Sequence, residues 1–172
     1  ADVLEWVHFA LTSEDVNSTA HALALRGALE GVMLPALRKL QNAIAVLARA
    51  HADTAMLART HGQSATPTTF GKEMNVFVTR LERQIAPLGI RPILMKWGGP
   101  SGNYNAQMVA LPQIDWLAFA RTFADGLNAN DASEERRVRL ALNEVTTQIE
   151  PHATYAEMFD NLRRINTILL DL

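Results

Sequence analysis

Cysteine is absent from this chain, which excludes disulfides and thiolate chemistry and fits a reducing compartment. The formal net charge is only −2, so there is no electrostatic case for nucleic acid or an anionic membrane surface as partner. No apolar run approaches the roughly 18–20 residues needed to span a bilayer. The histidines show neither HExxH nor HxH pairing, and GxGxxG and GKS/GKT phosphate loops are missing. No metal and no other cofactor is therefore expected. Internal repeats and low-complexity tracts are missing too. The chain lacks an initiator Met, opens in an apolar pattern (Leu4, Trp6, Val7, Phe9) and stops on Leu169, Leu170 and Leu172 without a helix-stop residue. These ends give the expectation of a central piece of a longer protein. Nothing at the start resembles a signal or transit peptide.

What is present is globular. The 172 residues are 48% hydrophobic and 20% charged, enough for one domain with a sizeable core. Thr12 and Asp15 make a capping-box-like start, with acids in the first turn to suit the helix dipole. The helix that follows carries Val16, Ala20, Leu23, Ala24 and Ala28. Pro35 is expected to open a second helix, with Leu37, Leu40, Ile44, Leu47 and Ala48 as its stripe. Phe70, Met74, Phe77, Val78, Leu81, Ile85 and Leu88 mark a third, expected to run from Pro67 to about 87–89. Pro92, Gly98, Gly99, Pro100 and Gly102 then form a glycine-rich turn, read as a small hairpin feeding a short helix over 105–111. Pro112 ends that helix, and 114–127 is helical again.

Residues 128–143, highly charged, read as a surface excursion. A final near-heptad stripe follows Pro151 (Tyr155, Met158, Phe159, Leu162, Ile165, Leu169, Leu172), with Ile168 and Leu170 outside it. The expectation is an all-α fold in the main, a long-helix bundle with a small hairpin or loop excursion. A final helix that is apolar on more than one side implies a bundle completed by other chains.

Polar residues concentrate in three places: Thr12, Ser13, Glu14, Asp15 and Asn17; Arg59, Thr60, His61, Gly62 and Gln63; and Thr146, Thr147, Gln148, Glu150 and His152. Each lies at or near a helix boundary, where side chains can leave a bundle and converge. The richest stretch is 58–73, ARTHGQSATPTTFGKE. It reads as a polar loop delivered onto a helix N-terminus, with Thr66 as N-cap and Pro67 as first helical residue. Such a loop offers hydrogen-bond donors, an imidazole that titrates near neutrality and backbone N–H groups that favour anions. It suits a negatively charged small molecule. On residue type alone Thr12 and Ser13 serve equally as helix caps, and His61 as an ordinary loop histidine.

The segments ALTSEDVNSTAHAL, ARTHGQSATPTTFGKEM, GNYNA and TTQIEPH, in this order, resemble the adenylosuccinate lyases. The match is to their bacterial-type branch within the fumarase/aspartase superfamily. Arg-Thr-His-Gly-Gln alone indicates the superfamily, and Gln-Ile-Glu-Pro-His the branch. The resemblance covers nearly the whole chain apart from 128–143. It implies β-elimination of fumarate from adenylosuccinate, giving AMP, and from the related succinyl-carboxamide ribotide of purine synthesis. A proton must leave carbon beside a carboxylate, and a nitrogen must depart. A base, an acid on that nitrogen and fixed donors around the developing charge meet those demands.

By match to the family motifs, His61 is the general acid, Thr60 binds beside it, Thr12 and Ser13 hold carboxylate or phosphate oxygens, and Gln148 hydrogen-bonds the substrate. The resemblance also implies a cytoplasmic homotetramer whose sites are shared between subunits. The family's serine-rich loop carrying the base is absent from this sequence, so residues 1–172 read as the central helical region of a larger lyase, inactive alone. Ala153 stands where relatives usually have an acid. Rival readings are another superfamily lyase, such as argininosuccinate lyase, and a non-catalytic helical assembly module.

Overall fold

The computed structural model describes residues 3–129 and 138–172, in two compact units. Helix dominates, joined by two small two-stranded sheets. The described residues within Ala1–Glu30 and Ile90–Glu157 form the first unit; Gly31–Gly89 and Met158–Leu172 form the second.

In the first unit, α1 (Ser13–Ala28) starts at Thr12, whose N–H donates to the Asp15 carboxylate at 2.9 Å. The face of α1 that is covered is not the expected apolar stripe. Asp15, Ser18, Thr19, Ala22 and Arg26 are buried, whereas Val16 is 51% exposed and Ala20, Ala24 and Ala28 are exposed. The reason is what packs there: a loop rich in backbone N–H and C=O groups, which polar side chains can satisfy and aliphatic ones cannot.

That loop follows β3 (Ile93–Met95), which pairs in parallel with β4 (Leu140–Leu142), Ile93 opposite Leu140 and Met95 opposite Leu142. The glycine-rich turn is thus not part of a hairpin, because β3 pairs with a strand some 45 residues on and not with its own neighbour. A short α4 (Asn105–Ala110) and α5 (Trp116–Ala129) lie between the two strands. Ala22, Leu29, Met95, Ala120, Ala124 and Leu140 are among the core residues.

The charged stretch 128–143 is only partly a surface excursion. Residues 130–137 lie outside the described residues, but Val138 and Leu140 are 1% and 2% exposed. Asn128 clamps the strand from the end of α5: its Oδ1 accepts the Leu140 N–H and its Nδ2 donates to the Leu140 carbonyl, both at 2.9 Å. Arg26 reaches the same helix end, donating to Asn128 Oδ1 and to the Leu127 carbonyl, where a guanidinium suits the negative end of a helix.

The second unit is built on three helices. Between α1 and α2 (Leu34–Ala50), the segment Leu29–Met33 takes wider π turns, which let a helical chain pass Pro35 despite its missing N–H. The other two helices are α3 (Phe70–Ile90) and α6 (Ala153–Asp171). Ile44 and Ala48, Leu81, Ile85 and Leu88, and Met158, Ile165 and Ile168 form the core. Burying such aliphatic side chains contributes about 1.5–3 kcal/mol apiece. Ile168 belongs to the buried face of α6, not outside it, while Phe159 and Leu170 remain 57% and 88% exposed. Helix α3 ends at Ile90, close to the expected 87–89, with Pro87 inside its last turn.

Candidate active site

The stretch 58–73 does run onto a helix N-terminus, but from a strand and at Phe70, not from a polar loop at Pro67. It lies mostly in an antiparallel hairpin of β1 (Ala55–Thr60) and β2 (Gln63–Thr69). Pro67 pairs with Leu57 inside β2, and helix α3 begins only at Phe70. Both strands of a two-stranded ribbon are edges, so a residue without an N–H is tolerated there. The cap is also displaced: Thr69, not Thr66, accepts the Lys72 N–H on its hydroxyl at 3.2 Å. The root of the hairpin is fastened to the end of α2, where Phe70 N–H donates to Thr54 O and Gly71 N–H to His51 O, both 2.9 Å. A Cβ on Gly71 would lie 2.3 Å from the Ala48 carbonyl oxygen, so only glycine lets the backbones approach this closely.

His61 occupies the tip. Thr60 pairs with Gln63, leaving His61 and Gly62 as the two turn residues, with φ of 49° and 73°. Positive φ at both positions is the type I′ geometry, whose twist matches the flanking strands. Histidine enters the left-handed region more readily than most residues, and glycine enters it without strain. The register shifts between Leu57 and Arg59, where Ala65 and Thr66 oppose Ala58 alone. Such a bulge bends a ribbon and increases its twist. Thr60 and His61 are both exposed, so the imidazole is offered to solvent on a two-residue turn.

The other two polar clusters belong to the first unit, where the structure brings them to one end of the parallel strand pair. Parallel pairing obliges the segment after β3 and the segment after β4 to leave from the same side. Asn143 N–H continues the pairing onto the Met95 carbonyl at 2.8 Å. The loop after β3 meets α1 at Asp15, whose Oδ1 accepts the Gly98 N–H at 2.9 Å and lies 2.7 Å from Lys96 Nζ. Asp15 and Lys96 are 1% and 0% exposed. On its other side the same loop meets Thr146, since a Cβ on Gly102 would fall 2.3 Å from the Thr146 carbonyl oxygen.

Thr12 is half-buried and Ser13 exposed at the N-terminus of α1; Gln148 is exposed in the segment after β4. That segment is anchored by Glu150, 1% exposed, which accepts from Asn143 Nδ2 at 2.8 Å and from the His152 N–H at 3.3 Å.

Thr12, Ser13 and Gln148 are therefore in one unit, and Thr60 and His61 in the other. The sequence places Asp15 and Glu150 in polar clusters without assigning either a role beyond the Asp15 cap, and it gives Lys96 no place at all. A charged residue between apolar neighbours (Met95 and Trp97 for the lysine) was the available signal. Around the loop, Tyr104 has its phenol pushed above the ordinary tyrosine range by burial, with the Glu144 and Asp15 carboxylates adding to it and Arg121 opposing. Tyr155, beside the ring of His152, is likewise raised by burial and by Glu150. Glu144 is held below the usual carboxylate range by its hydrogen bond from Arg121.

A sequence model of the lyase family matches residues 1–172. Adenylosuccinate lyase of Escherichia coli K12 is 46% identical over 169 residues, covering 98% of this chain and 35% of that protein. The Vibrio cholerae adenylosuccinate lyase is 44% identical over the same shares, and that of Dictyostelium discoideum 43% identical over 172 residues, 99% of this chain and 35% of its own. The chain thus spans about a third of the length of the curated relatives it matches. Among solved structures, a fumarate lyase from Mesorhizobium sp. BNC1 superposes with a TM-score of 0.69 at 24% identity, over 94% of this chain and 35% of that one. That likeness establishes the helical fold.

Proposed function

The chain belongs to the lyase family, and from that membership we propose that it is the central helical region of an adenylosuccinate lyase, which eliminates fumarate from adenylosuccinate and from the succinyl-carboxamide ribotide of purine synthesis. The observation that carries this reading is the 46% identity to an adenylosuccinate lyase over 98% of the chain. The aligned span includes all four motifs that suggested the family.

In this reading His61 protonates the departing nitrogen. A positioned general acid contributes typically 10²–10⁴-fold in rate, and an imidazole is protonated to a useful extent near neutral pH. Its exposed seat on a type I′ turn supports the role, because the ring is presented on a short, conformationally determined segment. Thr60 stands beside it. Thr12 and Ser13 bring hydroxyls to a helix start, where the dipole favours carboxylate or phosphate oxygens, while the Thr12 N–H is already held by Asp15. Gln148 adds an amide that can donate and accept. The base belongs to the serine-rich loop of the family, a segment outside these 172 residues. The apolar side chains left exposed on α6, Phe159 and Leu170, support a homotetramer in which several copies complete each site. No helix among the described residues is long and apolar enough to cross a membrane.

The test is fumarate release by the full-length protein, with adenylosuccinate, the succinyl-carboxamide ribotide and argininosuccinate offered separately. Turnover of the first two and not the third is expected. Turnover of argininosuccinate alone, or of none, overturns the proposal.

A further inference from the structure

Asp15 has more partners than a helix cap requires. Its Oδ2 accepts the Thr12 N–H at 2.9 Å, its Oδ1 the Gly98 N–H at 2.9 Å, and both oxygens lie 3.2 Å from the Gly99 N–H. The ammonium of Lys96 completes the shell at 2.7 Å and also donates to the Gly99 carbonyl. One turn along α1, the Ser18 hydroxyl closes on the Lys96 peptide, accepting its N–H at 3.1 Å and donating to its carbonyl at 3.0 Å. The loop so gripped runs on to Gly102, in contact with Thr146. One carboxylate is thereby tied to Thr12 on one side and, through the loop, to the segment that carries Gln148 on the other.

Stability alone does not account for this arrangement. A buried ion pair seldom outperforms an apolar pair of the same shape, and a capping acid needs no lysine. What the pair supplies is geometry and charge balance. An uncompensated carboxylate in the first turn of α1 would repel an anion approaching the helix N-terminus, and Lys96 cancels that charge without competing for the anion, being wholly enclosed.

We propose that Asp15, neutralised by Lys96, is a positioning residue that sets Thr12 and Ser13 against the segment bearing Gln148, so that a multiply anionic substrate is held between them. The inference rests on the functional reading above. Asp15 itself touches no substrate; it acts through Thr12 and the loop. Asp15→Asn removes the charge and turns an amide NH₂ toward N–H donors, so the grip on the loop loosens while the fold of α1 remains.

The experiment is steady-state kinetics of full-length Asp15→Asn with adenylosuccinate, alongside circular dichroism and assembly size. KM is expected to rise about tenfold or more with kcat within about threefold of wild type, the signature of lost binding and unaltered chemistry. A folded variant whose KM stays within about twofold overturns the proposal, since a merely structural role alters the active fraction and not KM. Should that variant fail to fold, Ser18→Ala loosens the same loop by a single hydroxyl, and its KM is expected to rise about threefold; a KM within about 1.5-fold overturns the proposal equally. A wild-type protein that releases no fumarate overturns the functional reading, and this inference with it.

Discussion

Gly102 packs directly against Thr146: a Cβ added to the glycine would stand 2.3 Å from the threonine carbonyl oxygen, at a φ of 77°. The contact joins the loop after β3 to the segment after β4, and both close approach and left-handed backbone demand glycine. Gly102→Ala combines strain with overpacking, and is expected to lower stability by about 2–4 kcal/mol. The thermal unfolding midpoint measures it; an unchanged midpoint would mean that the two segments are not in contact.

At the hairpin tip the chemistry can be separated from the turn. Asparagine accepts positive φ as well as histidine does, so His61→Asn keeps the I′ turn and removes the imidazole. Fumarate release by the full-length protein is expected to fall about 10²–10⁴-fold, with stability changed by less than about 0.5 kcal/mol because the position is exposed. A rate within a factor of two of wild type sinks the assignment of His61 as acid.

Gly62 separates the same two things from the other side. Nothing lies within 4 Å of a Cβ placed there, yet φ is +73°. Gly62→Ala is therefore expected to cost only the backbone strain, about 1–2 kcal/mol, and to reduce activity by displacing its neighbour His61. Equal activity in the alanine variant would show that turn geometry does not matter to the reaction.

Lys96→Met leaves the buried Asp15 carboxylate without a counter-charge. Breaking such a pair from one side is expected to destabilise by about 3–5 kcal/mol. In a double-mutant cycle, Asp15→Asn with Lys96→Met should destabilise by clearly less than the sum of the two single changes. Simple additivity in denaturant unfolding would deny the coupling.

The chain has just two tyrosines, and both have phenols raised above 10.0, chiefly by burial. A group with a raised folded-state pKa contributes stability that is present below its unfolded value and lost as pH climbs through the folded one. Phenolate absorbance should thus lag behind free tyrosine as pH rises, and stability should decline above about pH 10. Ionisation of both tyrosines at or below 10 in the folded protein contradicts the burial at Tyr104 and Tyr155.

Much of the fold was legible along the chain. Helices over 13–28, 34–50, 105–110 and 153–171 follow from caps, prolines and three- and four-residue apolar spacing. Where local signals failed, each had a rival local meaning. Thr66 followed by Pro67 is a sound helix start, but the same dipeptide sits in an edge strand once Leu57 pairs with it. Three threonines lie close together, at 66, 68 and 69, and the cap fell to Thr69, the last of them. Val138 and Leu140 lay close behind a run of acids and arginines that concealed a core strand.

By itself the amino-acid order determined the helical class, the family motifs and the residue types at the candidate site, because those depend on neighbours within a turn or two. Only the tertiary structure decided that His61 rides on a hairpin, that α1 turns its polar face inward, and that Asp15 and Lys96 form a pair across 81 positions of sequence. Parallel strands and backbone loops join residues far apart in the chain, and whether a charge is buried depends on which distant groups arrive to satisfy it.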